Sequence, residues 1–356
     1  MILLNPGPVS LSAKVRRALQ AEDLCHREPE FAALTKAILE KLESVYRGAA
    51  QTHAAVLLTA SGSGAVEAML STFAPRNSTT LVVANGVYGE RMLDMLTRQG
   101  KPCIGLTGSW ESPIELESVE RLLAEHPDIS HLAVVHHETT TGRLNELSAI
   151  AKLCAERQIE LMIDAVSSFG AEWLDFEVWN PLAIASTANK CLHGVPGVSF
   201  VMARRETLEH SQTQATTLYF DLLRYYRDQR SGWSPFTQAV QGFMALDAAL
   251  DELLDSGSWS ARREVYRQRS ARIATRLARL GAQPLLAEGA SSMLRSYLYP
   301  EGKSYTPLHD GLKKRGFTIY AGQGPLQARI FRIATMGEIG EEDMLSLMNA
   351  LTEVLG

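Results

Sequence analysis

Cysteine is scarce in this sequence: four among 356 residues, Cys25, Cys103, Cys154 and Cys191, with no C-x-x-C pair. Such scatter offers neither a disulfide framework nor a zinc site, and it points to reduced thiols in a cytoplasmic setting. Basic charge is not in excess either. The 35 lysines and arginines are outnumbered by 40 acidic residues, leaving a well-mixed net charge of −5 and no basic footprint for nucleic acid. No apolar, uncharged run reaches the ~18 residues of a membrane span. The start, M-I-L-L-N-P-G-P, lacks the basic and apolar regions of a signal peptide. No repeat period or low-complexity tract is present. What remains is ordinary: 46% hydrophobic and 21% charged residues, the composition of a soluble globular protein. The length suits two domains, or a large α/β domain with a smaller partner.

Apolar runs alternate with helical spacing through the first two thirds of the chain. Strands are expected at 54–58, 80–84, 103–106, 132–136, 160–164, 181–185 and 198–203. Helices are expected between them, at 64–73, 90–99, 113–124 and 147–157. Earlier, Ser10 or Ser12 caps a helix to about 21, and Phe31, Leu34, Ile38, Leu42 and Val45 mark another over 30–46. Short apolar strands alternating with helices predict βαβ units and a mostly parallel sheet covered on both faces. After Pro235 the pattern becomes helical over 236–255 and 259–280, and then a smaller strand–helix–strand set follows. The fold class is therefore α/β: an N-terminal arm and large domain over 1–245, and a small C-terminal domain over 246–356.

Several motifs stand at the ends of these strands. Ser61-Gly62-Ser63-Gly64 separates a strand from a helix. Small residues there let a backbone approach an anion while helix-start N–H groups point at it; a plain tight turn is the simpler reading. The string is neither a G-K-[ST] loop nor a G-x-G-x-x-G fingerprint. Asp164 closes an apolar run, where a carboxylate is costly unless paired. It suits a protonated ring nitrogen, or else a helix cap or ion pair. Lys190 lies 190 − 164 = 26 residues on, among Ala188, Cys191, Val195 and Pro196. Apolar surroundings lower a lysine's pKa and favour a nucleophile, against the alternative of a surface lysine. Together Asp164 and Lys190 can bracket a flat, charged cofactor, which we read as pyridoxal phosphate. His136-His137-Glu138-Thr139-Thr140-Thr141-Gly142 fails H-E-x-x-H because position 141 is threonine. Its hydroxyls are candidate contacts for a cofactor hydroxyl, or caps for the helix that follows. Tyr88, on a loop after a strand, could stack on a planar ring or pack in a core. Arg332, a charge within a strand, offers a planar fork for a carboxylate or phosphonate, or simply faces solvent.

Taken together, these residues resemble the class V aminotransferase family, pyridoxal-phosphate enzymes of fold type I. The resemblance runs from Leu4-Asn5-Pro6-Gly7-Pro8 to Phe331-Arg332-Ile333. It is carried by Asn85-Gly86-Val87-Tyr88-Gly89-Glu90-Arg91, by H-H-E-T-T-T-G-R-L-N from His136, by D-A-V-S-S-F-G from Asp164 and by A-N-K-C-L-H-G-V-P-G from Ala188. Within the family the strings are most similar to those of the 2-aminoethylphosphonate–pyruvate aminotransferases. The resemblance implies that Lys190 carries the cofactor and shuttles the proton, and that Asp164 pairs with the pyridine nitrogen. It also implies that Ser61, Gly62 and Ser63 hold the phosphate, that Tyr88 stacks on the ring and that Thr139 contacts its hydroxyl. Ser168 or Asn189 would line the site, and Arg332 would bind the acidic end of the substrate. Ser234 and Thr237 would reach the phosphate bound by the neighbouring subunit of a homodimer whose active sites are shared.

The chain departs from that subgroup at Gly64, where a larger residue is usual, across 217–229, and at Gln323. Amine and keto-acid substrates are implied, with alanine– or serine–glyoxylate exchange and a related phosphonate amine as rivals. A cysteine desulfurase needs a cysteine on a late, mobile loop, and the last cysteine here is Cys191. A cofactor-binding regulator would need a DNA-binding segment for which the chain has no spare length.

Overall fold

Seven strands build the central sheet of the computed structural model, which describes residues 1–356. Across the sheet they run His53–Leu58, Ser199–Arg204, Ala183–Thr187, Glu160–Asp164, Ile129–Val135, Thr79–Ala84 and Cys103–Thr107. Ser199–Arg204 is antiparallel to both neighbours, and every other pairing is parallel. The strand residues alternate between two cores. Leu57, Leu81, Val83, Leu132, Val134 and Ile163 face one; Val56, Leu58, Val82, Ala133, Val135 and Met162 face the other. This period of two, with both faces apolar, is what a sheet sandwiched between helices requires. Helices Gly62–Phe73, Val87–Arg98 and Leu222–Arg230 cover one face; Pro29–Ser44, Leu116–Glu125, Ser148–Arg157 and Val240–Asp255 cover the other.

The strands lie within two residues of expectation, apart from Ile129–Val135, which starts three residues early, but helix starts differ. Gly62–Phe73 begins two residues early because the Ser61 hydroxyl caps it, accepting from the Gly64 N–H at 3.3 Å. Val87–Arg98 also starts early, so Tyr88 sits in a first helical turn rather than on a loop. Pro113 opens no helix, which begins instead at Leu116. Two short helices, Arg205–His210 and Leu222–Arg230, occupy a region in which none was expected.

The division at 245/246 falls inside a helix. Val240–Asp255 packs along Pro29–Ser44, with Phe31 and Phe243 rings 5.2 Å apart, and its Phe243, Leu246, Leu250 and Leu253 belong to the large core. The chain leaves that core along Ser258–Arg279, where Trp259 still stacks on Tyr46 but Ile273 and Leu277 enter the small-domain core. The small domain holds an antiparallel sheet of Leu294–Leu298, Ile330–Ala334 and Tyr320–Ala321, under helices Tyr305–Lys314 and Glu341–Leu355. The N-terminal arm does not belong to the large domain alone. Ile2–Leu3 pairs in parallel with Phe317–Thr318, and Leu4 is buried in the small core. No helix is long and apolar enough to cross a membrane.

Candidate active site

Parallel strands all point the same way, so the residues that follow them collect along one edge of the sheet. Ser61 comes after 53–58, Tyr88 after 79–84, Thr139 after 129–135, Asp164 ends 160–164 and Lys190 follows 183–187. Residues as far apart as 61 and 190 are gathered there for that reason.

The first turn of Gly62–Phe73 leaves the Gly62 and Ser63 amides without acceptors inside the helix, and the helix dipole adds partial positive charge. A Cβ on Gly62 would come within 2.7 Å of Val166 Cγ1, so only glycine lets this turn approach the floor of the site so closely. Gly64 is backed by Ala60 and Phe220; a Cβ there would lie 3.7 Å from the Phe220 ring. The aromatic residue of the divergent 217–229 stretch thus fills space beside the small Gly64.

Asp164 is buried, and its Oδ1 accepts from the Val166 N–H at 2.9 Å. No arginine or lysine forms a salt bridge with it. Desolvation raises its carboxyl to about 6, with Glu138 pushing the same way and Arg91 and Lys190 pulling it down. It lines a small slot, with room for little more than a water molecule, together with Ser63, Tyr88, Arg91, Met92 and Val166.

Lys190 is partly buried, and desolvation lowers its ammonium to about 8. Its Nζ donates to the carbonyl of Pro6, on the N-terminal arm. Gly7 makes that approach possible: its φ is +133°, and a Cβ would stand 2.6 Å from Lys190 Nζ. The arm therefore packs directly on the Lys190 amine.

Arg332 is 2% exposed yet pairs with no carboxylate. Its Nε donates to the Ala321 carbonyl at 2.9 Å and its Nη1 to the Thr139 carbonyl at 2.8 Å, with Gln323 Oε1 at 3.4 Å. The second terminal nitrogen, Nη2, has no protein partner. A buried guanidinium held by neutral carbonyls, with no carboxylate in hydrogen-bond reach, suits an anionic ligand.

Other expected residues fare differently. Thr139 is buried, with its carbonyl engaged by Arg332. Asn189 accepts from the Thr187 hydroxyl at 2.8 Å. Ser168 does not offer a free group to the site, because its hydroxyl is paired with His136 Nδ1 at 3.0 Å. Ser234 is buried and Thr237 exposed; neither lines the Tyr88–Asp164 slot. Their segment is nonetheless tied beside the 61–64 turn, as Gln238 accepts from the Thr59 hydroxyl at 2.9 Å.

Two contributors escaped the sequence reading. Arg91 donates to Ser63 Oγ at 3.0 Å and lies 4.8 Å from the centre of the Tyr88 ring. Its position three residues after Tyr88 on one helix was the available signal. Glu138 is wholly buried and accepts from the N–H groups of Tyr88, Gly89 and Thr140 and from the Thr140 hydroxyl. Burial raises its carboxyl while those hydrogen bonds oppose the rise.

With this geometry established, comparison with known proteins is decisive. The family model described as aminotransferase class V matches residues 23–293. The chain belongs to the class V aminotransferases. A 2-aminoethylphosphonate–pyruvate transaminase from Klebsiella pneumoniae subsp. pneumoniae is 33% identical over 360 residues, covering 99% of this chain and 97% of that one. Among solved structures, a subgroup IV aspartate aminotransferase from Thermus thermophilus superposes with a TM-score of 0.90 at 27% identity, covering 100% of this chain and 99% of the other. An alanine–glyoxylate aminotransferase from Nostoc sp. has the same fold, with a TM-score of 0.92 at 24% identity over 100% of this chain and 95% of that one. This class V aminotransferase accordingly has the fold type I architecture expected from its sequence.

Proposed function

We propose that this aminotransferase binds pyridoxal phosphate and exchanges the amino group of 2-aminoethylphosphonate with pyruvate, giving phosphonoacetaldehyde and L-alanine, or runs the reverse exchange. The observation that carries this reading is the buried, carboxylate-free Arg332 in a chain similar over its full length to phosphonate transaminases.

The residues present fit the cofactor. The unpaired amides of Gly62 and Ser63, with the Ser61 hydroxyl, form a cradle for a phosphate dianion. Asp164, buried without a cation, suits a protonated pyridine nitrogen, which would lower the carboxyl's raised pKa by pairing. Tyr88 and Val166 line the same small cavity as Asp164 and would flank the ring, and Thr139, after the neighbouring strand, would contact its hydroxyl. When bound, the group supplies a carbonyl that takes up the amine and a ring that withdraws electrons from it. Lys190 Nζ, brought near 8 by burial, would be the base that takes the proton from the amino-bearing carbon and passes it to the cofactor's carbonyl-derived carbon rather than back to the substrate. The Pro6 carbonyl holds that amine in place meanwhile. Arg332 Nη2 binds the phosphonate oxygens in one half of the exchange and the keto-acid carboxylate in the other, so one guanidinium nitrogen serves both partners.

We further propose a homodimer with shared sites. Trp233 and Leu218, flanking the 219–232 stretch, are exposed apolar residues near Ser234 and Thr237, which supports a covered surface there. Four free thiols fit a reducing, cytoplasmic setting.

The test is a set of single half-reactions of cofactor-loaded protein with 2-aminoethylphosphonate, alanine or serine, followed by the visible absorbance of the cofactor. A rapid change with the phosphonate is expected. No change with it, beside a fast change with serine, would refute the donor assignment.

A further inference from the structure

Glu138 is a buried carboxylate for which the reaction itself has no use. Its Oε2 accepts from the N–H groups of Tyr88 at 3.2 Å and Gly89 at 3.4 Å, and its Oε1 from the Thr140 N–H at 3.1 Å and hydroxyl at 2.6 Å. The Thr140 hydroxyl oxygen in turn accepts from the Val87 N–H at 3.2 Å. Three successive amides at the start of Val87–Arg98 are thus satisfied from another strand end, while Gly86, the residue before that helix, supplies no side-chain cap. A helix start buried in this way needs such partners. The same helix turn carries Tyr88 and then Arg91, which reaches Ser63 in the phosphate cradle. Between Glu138 and Thr140 lies Thr139, whose carbonyl holds Arg332. Three consecutive residues therefore connect the ring-stacking tyrosine, the cradle and the anion-binding arginine.

Gly86 makes the contact possible. Its backbone is extended, so any residue could adopt it, but a Cβ there would overlap the Glu138 side chain, coming within 2.7 Å of Oε2. Glycine is required at 86 for the space that Glu138 takes.

We propose that Glu138 is the positioning residue of this site: it caps the Val87–Arg98 helix from outside and so sets the height and angle at which Tyr88 meets the cofactor ring. The proposal rests on the reading of these strand ends as a pyridoxal-phosphate site. Loss of a helix cap of this type corresponds to about a tenfold change in an equilibrium constant.

The experiment titrates cofactor-free wild type, Glu138→Gln, Glu138→Ala, Gly86→Ala and the Gly86→Ala/Glu138→Ala double variant with pyridoxal phosphate. It records the dissociation constant, the visible-band circular dichroism that reports ring orientation, and the urea midpoint of each cofactor-free protein. Weakening of about tenfold is expected for Glu138→Ala, with altered visible ellipticity, and a smaller loss for Glu138→Gln, which keeps one acceptor oxygen. Gly86→Ala should weaken binding in the wild-type background but add little once Glu138 is alanine, because the obstructed space is then empty. Equal effects of Gly86→Ala in both backgrounds would overturn the proposal. So would variants that lose urea stability yet bind the cofactor with wild-type affinity and ellipticity. Should Glu138→Ala fail to fold, Glu138→Gln and Gly86→Ala still decide the matter. Failure of the wild type itself to bind pyridoxal phosphate would instead refute the functional reading.

Discussion

Replacing Arg332 by methionine separates anion recognition from chemistry. Methionine keeps much of the side-chain volume in a position that is 2% exposed. It removes the guanidinium that donates to the Thr139 and Ala321 carbonyls and whose Nη2 is free for substrate. A charge-assisted hydrogen bond in a desolvated site contributes about 1.5–3 kcal/mol. A phosphonate held by that one free nitrogen therefore loses about 1.5–3 kcal/mol. At about 1.4 kcal/mol per decade, kcat/KM for 2-aminoethylphosphonate should fall about 10–10²-fold. The two orphaned carbonyls cost stability rather than rate, at about 1–3 kcal/mol each. The assay compares 2-aminoethylphosphonate with ethanolamine, an amine of the same backbone without the anionic group. Ethanolamine turnover, already poor, should change little. A loss below about threefold for the phosphonate would refute the role assigned to Arg332, as would an equal loss for both amines.

Two further outcomes follow from buried lysines. Burial lowers Lys190 from 10.5 to about 8, so between those pH values the folded, cofactor-free protein holds fewer protons than the unfolded chain. Its contribution to stability is fully present above pH 10.5 and is lost as pH falls to 8, staying constant below that. Lys190→Met should therefore raise the urea midpoint of cofactor-free protein at pH 7, with an advantage that shrinks between pH 8 and 10.5; an advantage independent of pH would contradict this. Lys101 is buried at the far end of Gly62–Phe73, its Nζ donating to the carbonyls of Leu70 at 3.0 Å, Ser71 at 2.6 Å and Ala74 at 2.5 Å. Lys101→Met leaves three last-turn carbonyls without that donor and should cost about 2–4 kcal/mol in urea unfolding, with cofactor affinity nearly unchanged; an unaltered midpoint would show that the carbonyls find other partners.

Much of this was legible in the residues themselves. Apolar runs of five or six residues, each closed by small or polar residues and followed by a helical period, specify βαβ units whatever lies around them. Such units place Ser61, Tyr88, Thr139, Asp164 and Lys190 at equivalent strand ends, and the parallel sheet then brings those ends together. Local chemistry was legible too: Asp164 ends a strand in which a carboxylate must find a partner. Helix starts were less so, because Val87–Arg98 has no capping side chain of its own and is capped by Glu138, fifty residues away.

Only the tertiary structure decided what depends on contacts between distant segments. Ser168, expected with Asn189 to line the site, has its hydroxyl paired with His136. The N-terminal arm crosses to the small domain and lays the Pro6 carbonyl on Lys190. The helix after Pro235 belongs to the large core because Phe243 meets Phe31 there. Glu138 was written in a motif whose threonines drew the eye, and nothing in its neighbours along the chain shows that its partners are the amides of Tyr88 and Gly89. Periodicity and end-of-strand chemistry are local properties and are carried by the chain. The pairing of a buried polar group is settled by whatever donor folding brings within 3 Å or so, and that is a property of the packed molecule alone.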